Sequence, residues 1–140
     1  MLPCTVAFGL GSNLGTSIDY LRIALSELRR LSFLRVKKVS SIYESDAQLP
    51  EKASSDWNLK YLNAVVLAEL IEEKPPLELL NEIKKIELKM GRRSGERWAP
   101  RLIDIDILAW NAEKFSSPQM NVPHSSLNER PFALLPLLEV

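Results

Sequence analysis

Apolar and polar positions along the chain fall into six blocks that alternate between the strand and helix periods. Thr5–Leu10 (TVAFGL) is a short apolar run, the pattern of a buried strand. The glycines of Gly9-Leu10-Gly11-Ser12-Asn13-Leu14-Gly15 then allow a tight turn. Thr16-x-x-Asp19 fits a loose capping box, and Ile18, Leu21, Leu25 and Leu28 recur at helical spacing. Leu34–Tyr43 reads as a second strand, with a bulge at Lys37-Lys38. Glu44–Leu59 is polar, contains Pro50 and has no period, so it reads as a long functional loop. Tyr61–Leu70 is apolar on both faces, as a central strand would be. Pro75-Pro76 opens a second helix whose stripe is Leu80, Ile83, Ile86 and Met90. The polar loop Gly91–Arg101 leads to a strand at Leu102–Leu108, and a turn-rich tail carries Pro118, Pro123, Pro131 and Pro136.

The order β-α-β-β-α-β predicts an α+β, ferredoxin-like domain: a four-stranded antiparallel sheet with two helices on one face. At 140 residues a single domain, 1–140, is expected. Eighteen basic residues offset eighteen acidic ones, which argues against a nucleic-acid or membrane-surface partner. Cys4 is the only cysteine and can form no internal disulfide. Met1-Leu2-Pro3-Cys4 has no signal-peptide pattern, and no apolar run approaches the ~20 residues of a membrane helix. A reducing, cytoplasmic compartment is therefore the expectation.

The chemistry concentrates late in the chain. In Leu102-Ile103-Asp104-Ile105-Asp106-Ile107-Leu108 the three isoleucines share one strand face and the two aspartates the other. Their carboxylates would stand about 7 Å apart. Such a pair either holds a hard cation such as magnesium or sits solvated against nearby arginines. The preceding loop holds Arg92, Arg93, Arg97 and Arg101 against one acid, Glu96. Arginine forks suit phosphate oxygens, and phosphate-binding cations beside magnesium-binding carboxylates are what phosphoryl transfer requires. Tyr61 and Asn63 share a strand face, offering a ring and an amide either to a flat heterocycle or to an ordinary half-buried sheet. His124, the only histidine, is a phosphate ligand or a structural residue. Gly9–Gly15 lacks the Lys-Ser/Thr of a P-loop, and Leu14 breaks G-x-G-x-x-G.

Taken together, these segments resemble the 6-hydroxymethyl-7,8-dihydropterin pyrophosphokinase family of folate biosynthesis. The resemblance rests on Gly9–Gly15, Tyr61-Leu62-Asn63-Ala64-Val65, Ile86-Glu87, Gly91-Arg92, Val122-Pro123-His124 and Arg130-Pro131-Phe132-Ala133-Leu134-Leu135-Pro136-Leu137. Its most specific block is Arg97-Trp98-Ala99-Pro100-Arg101-Leu102-Ile103-Asp104-Ile105-Asp106-Ile107-Leu108. It implies transfer of pyrophosphate from ATP to the pterin hydroxymethyl group, with release of AMP. Asp104 and Asp106 would hold two magnesium ions and, with Arg92 and Arg101, form the catalytic set. Ser45, Asp46, Tyr61, Asn63, Trp98 and Phe132 would bind the pterin. ATP would meet Leu80, Lys84, Glu87, Arg92, Trp98, Arg101, Ile107, Asn121, His124 and Arg130. The chain departs from the family at Ser45-Asp46, where Thr-Pro is common, and at Ser94, where an arginine is common. A divergent pterin- or nucleotide-binding module with weak or no catalysis is the alternative these departures suggest.

Overall fold

The computed structural model describes residues 4–13, 17–45, 60–91, 102–111, 115–116, 121–122 and 140. The elements are β1 (Cys4–Ser12), α1 (Ser17–Arg29), β2 (Leu34–Val39), β3 (Tyr43–Ser45), β4 (Tyr61–Leu70), α2 (Pro76–Lys89), β5 (Asp104–Trp110), β6 (Phe115–Ser116) and β7 (Asn121–Val122). The main sheet runs β2-β4-β1-β5, with β3 also on β4, and all its pairings are antiparallel. This is the expected α+β, ferredoxin-like order, with five strands in place of four. The extra strand comes from division of the segment read as one strand over 34–43. Its two halves, β2 and β3, lie one after the other along β4.

The division has a local cause at Ser40. Its N–H donates to the Val65 carbonyl at 2.9 Å, and its Oγ accepts the Val65 N–H at 2.8 Å. A side-chain oxygen thus replaces the main-chain carbonyl that a continuous ladder would present. The chain is released there and rejoins β4 at Tyr43↔Asn63. The expected bulge is present, since the register shifts between Val36 and Lys38.

Both helices cover one face of the sheet. Leu21, Ala24 and Leu28 of α1 and Leu79, Ile83 and Ile86 of α2 bury against Val6, Phe8, Leu10, Val66, Ala68, Leu70, Ile103, Ile105, Ile107 and Trp110. The stripes differ from expectation by one position each. Ile18 is 44% exposed and Ala24 is buried instead; Leu79 is fully buried while Leu80 only packs against the core edge. Lys89 of α2 reaches Glu27 of α1 at 3.1 Å, tying the helices together at their C-terminal ends. The opposite face carries a smaller apolar group of Ala7, Val65 and Leu108. Residues 14–16, which include the Thr16 cap, lie outside the described residues. No described helix is long and apolar enough to cross a membrane.

Candidate active site

Residues directly opposite one another in an antiparallel sheet point to the same face, so the register lays out the site. Gly11 of β1 pairs with Asp104 of β5 on one side and with Asn63 of β4 on the other. One step along, Gly9 pairs with Asp106 and with Val65. The helix-free face therefore has two aspartates on its edge strand, a glycine track down the middle, and Asn63 beyond. With adjacent strands just under 5 Å apart, Asp104 and Asn63 stand about 10 Å apart across Gly11. Gly11 itself places no side chain between them. Both aspartates are half-buried, while Ile103, Ile105 and Ile107 are buried on the helix side, as the alternation requires.

Asn63 is 5% exposed, so its amide must be satisfied within the protein. Its Nδ2 donates to Ser45 Oγ at 2.8 Å and to the Tyr43 carbonyl at 3.2 Å. Both partners lie on β3, so the divided strand is what orients the amide. The other end, Oδ1, faces Gly11: a Cβ placed there would stand 3.4 Å from it. That same Cβ would lie 3.6 Å from Cδ1 of Tyr61, whose half-buried ring flanks the track. Ser45, Tyr61 and Asn63 are thus brought together, and the amide oxygen is the atom offered to a partner on the track.

The residues expected to serve a nucleotide are distributed differently. Leu80 packs at the core edge, and Lys84, one turn on, is exposed. Ile107 is a core residue on the face opposite Asp106. Glu87 is 4% exposed, and its Oε2 accepts the Ile105 N–H at 2.9 Å. Asn121 is described through its backbone alone, in β7, which lies alongside β5. Asp46, Arg92, Trp98, Arg101, His124, Arg130 and Phe132 lie outside the described residues. The ends of segment 92–101 are defined, however. Gly91 closes α2 with φ +95°, and a Cβ on it would stand 3.4 Å from Leu102 Cδ1. Gly91 and Leu102, the described residues on either side of 92–101, are thus close neighbours, two residues before Asp104.

The residues that sequence reasoning missed are Ser40, which creates β3, and Gly11 as the floor of the track. Glu87 was expected near a nucleotide, but its bond to β5 was not foreseen. These roles emerge only when residues distant in sequence are packed together.

Residues 7–140 match the family model described as 7,8-dihydro-6-hydroxymethylpterin-pyrophosphokinase (HPPK). The 2-amino-4-hydroxy-6-hydroxymethyldihydropteridine pyrophosphokinase of Aquifex aeolicus is 40% identical over 136 residues, 97% of this chain and 79% of that protein. The folate synthesis bifunctional protein of Chlamydia trachomatis is 41% identical over 131 residues, 92% of this chain, but the chain spans only 28% of its length. The structure of wild-type Plasmodium falciparum HPPK-DHPS with pterin and p-hydroxybenzoate superposes with a TM-score of 0.70 at 17% identity, over 99% of this chain and 39% of that one, a likeness of fold. With residues 7–140 matched by the family model and 40% identity to a relative covered over 79% of its length, the chain belongs to the 7,8-dihydro-6-hydroxymethylpterin-pyrophosphokinase family.

Proposed function

We propose that residues 1–140 form a single pyrophosphokinase domain that transfers the β,γ-pyrophosphate of ATP to the hydroxymethyl oxygen of 6-hydroxymethyl-7,8-dihydropterin in folate synthesis. The oxygen–β-phosphorus bond forms, the bond between the β-phosphorus and the α,β-bridging oxygen breaks, AMP leaves and the hydroxymethyl proton is lost. The observation that carries this reading is the row Asp104–Gly11–Asn63. It sets carboxylates for a phosphate-bound cation at one end and a fixed amide acceptor at the other, at a spacing of about 10 Å. That is room for a bicyclic ring whose hydroxymethyl arm points toward the aspartates.

The donors fit magnesium. Asp104 and Asp106 are hard oxygen ligands on the face opposite the helices. Magnesium usually takes one or two carboxylates and completes its shell with phosphates and water. When bound, two ions there would offset phosphate charge and polarise the transferred group. The protein's own share is positional. Asn63 selects a ring edge that can donate, Tyr61 with Phe132 stacks on the ring, and Gly11 lets it lie close to the sheet. Arg92, Trp98, Arg101, His124 and Arg130 are assigned to ATP, and Ser45 and Asp46 to the pterin side, on the family resemblance. Leu80, Lys84, Ile107 and Asn121 are assigned to the nucleotide on the same ground. A cytoplasmic monomer is the setting this reading implies.

The test is AMP formation from ATP, magnesium and the reduced hydroxymethyl-pterin. Asp106→Asn should lower the rate at least a hundredfold with an unchanged circular-dichroism spectrum, and EDTA should abolish turnover in the native protein. A wild-type protein that binds pterin and ATP yet forms no AMP would refute the reading.

A further inference from the structure

Among the described strands β5 is the edge of the main sheet, paired on one side with β1. An edge strand presents main-chain N–H groups with no ladder partner. The Ile105 N–H is one of these, and it is the donor that Glu87 Oε2 accepts at 2.9 Å. The peptide concerned joins Asp104 to Ile105, so it lies between the two aspartates proposed as metal ligands.

Glu87 occupies a position where an apolar residue would serve packing better. It follows Leu79, Ile83 and Ile86 on the buried side of α2. Burying a carboxylate there costs stability unless its oxygens are bonded. Leucine or methionine would fill the space but leave the Ile105 N–H without an acceptor. The carboxylate fixes the plane of that peptide, and through it the directions of the Cα–Cβ bonds of Asp104 and Asp106. Groups that orient metal ligands without touching the metal typically alter metal affinity or activity by about 10–100-fold.

We infer that Glu87 is a positioning residue: from α2 it clamps the edge of β5 at the peptide between Asp104 and Asp106 and sets the angle at which the two carboxylates are presented. The metal part of this inference rests on the proposed function; the clamp itself does not.

The experiment compares wild type with Glu87→Gln, which keeps an acceptor oxygen, and Glu87→Leu, which removes it. Amide exchange at Ile105 is read by NMR without substrate, and the magnesium concentration for half-maximal AMP formation is read at saturating ATP and pterin. Glu87→Gln should stay within about threefold of wild type in both, since the acceptor is retained. Glu87→Leu should speed Ile105 exchange and raise the magnesium requirement, each about tenfold or more, with the KM for ATP little changed at saturating magnesium. Leu79→Ala loosens the same helix without touching the clamp, and its magnesium requirement should match wild type. If Glu87→Leu does not fold, Glu87→Asp, which draws the carboxylate back by one methylene, carries the same expectations. Unchanged Ile105 exchange in the acceptor-less variant overturns the clamp. A raised ATP KM with an unchanged magnesium requirement overturns it in favour of direct nucleotide contact. An equal magnesium shift in Leu79→Ala reduces the effect to general loosening. Should the wild type form no AMP, the exchange data still decide the clamp, and the proposed activity falls separately.

Discussion

Replacing Asn63 with aspartate changes its size hardly at all and removes both of its amide donors, which makes Asn63→Asp a direct probe of how the site is built. The native Nδ2 stands 3.2 Å from the Tyr43 carbonyl and 2.8 Å from Ser45 Oγ. A carboxylate oxygen in that place faces the Tyr43 carbonyl acceptor to acceptor, while the Ser45 hydroxyl can turn and donate. One hydrogen bond is therefore lost at a side chain only 5% exposed, and a charge is buried. The loss is about 2 kcal/mol, within the range for an unsatisfied buried polar group. For a domain of this length that lowers Tm by roughly 6–8 °C. The effect must depend on pH, and its sign is fixed. The protonated acid can donate to Tyr43 and the ionised acid cannot, so folding raises the introduced group's pKa above the ordinary ~3.9, by about 1.5 units for 2 kcal/mol. The variant should approach wild type below about pH 4 and carry its full deficit by about pH 6 to 7. Thermal melts of variant and wild type at pH 4.5 and 7.5, compared as differences, make the measurement. A deficit of equal size at both values, or none at pH 7.5, would show that Asn63 is not held by the Tyr43 carbonyl.

Two further outcomes test the scaffold. Ser40→Ala removes the acceptor of the Val65 N–H, and a loss of about 1–2 kcal/mol with weaker pterin binding is expected, because β3 carries Tyr43 and Ser45; calorimetry of unfolding and of pterin binding reads both. Gly91→Ala must hold φ +95° with a side chain, costing about 1 kcal/mol, so urea unfolding should show a lower midpoint with an unchanged m-value.

Strict alternation made the strongest features legible in advance. Ile103, Ile105 and Ile107 force Asp104 and Asp106 to the other face whatever the rest of the fold does, and the structure places them so. Tyr61–Leu70 reads as central because it is apolar on both faces, and it is the strand with most neighbours. The less legible features depend on partners distant in sequence. Nothing in Leu34–Tyr43 announces that a serine hydroxyl will take a ladder position, since that requires Val65 opposite. Ile18 and Leu80 fit their helical stripes by spacing, but which neighbour of a stripe is buried depends on how the helix is rolled on the sheet. Small Ala24 and fully buried Leu79 settle that only once packed. β6 and β7 are two residues each, too short to show any period. Glu87 looks in sequence like an acid on a helix beside the active site. Its second role exists only because β5 is an edge.

The meeting of Gly91 and Leu102 bears on how the family can vary. A segment whose two ends are already neighbours adds little to the folding balance when its length changes: doubling a loop costs only about 0.6 kcal/mol in closure entropy. Gly91 and Leu102, which bracket the arginine-bearing sequence 92–101, meet in this way two residues before Asp104. The length of sequence between those two fixed ends can therefore change without disturbing the sheet that presents the aspartates. The sheet that presents the aspartates and the sequence between Gly91 and Leu102 are separable inheritances, and selection can retune the second while leaving the first alone.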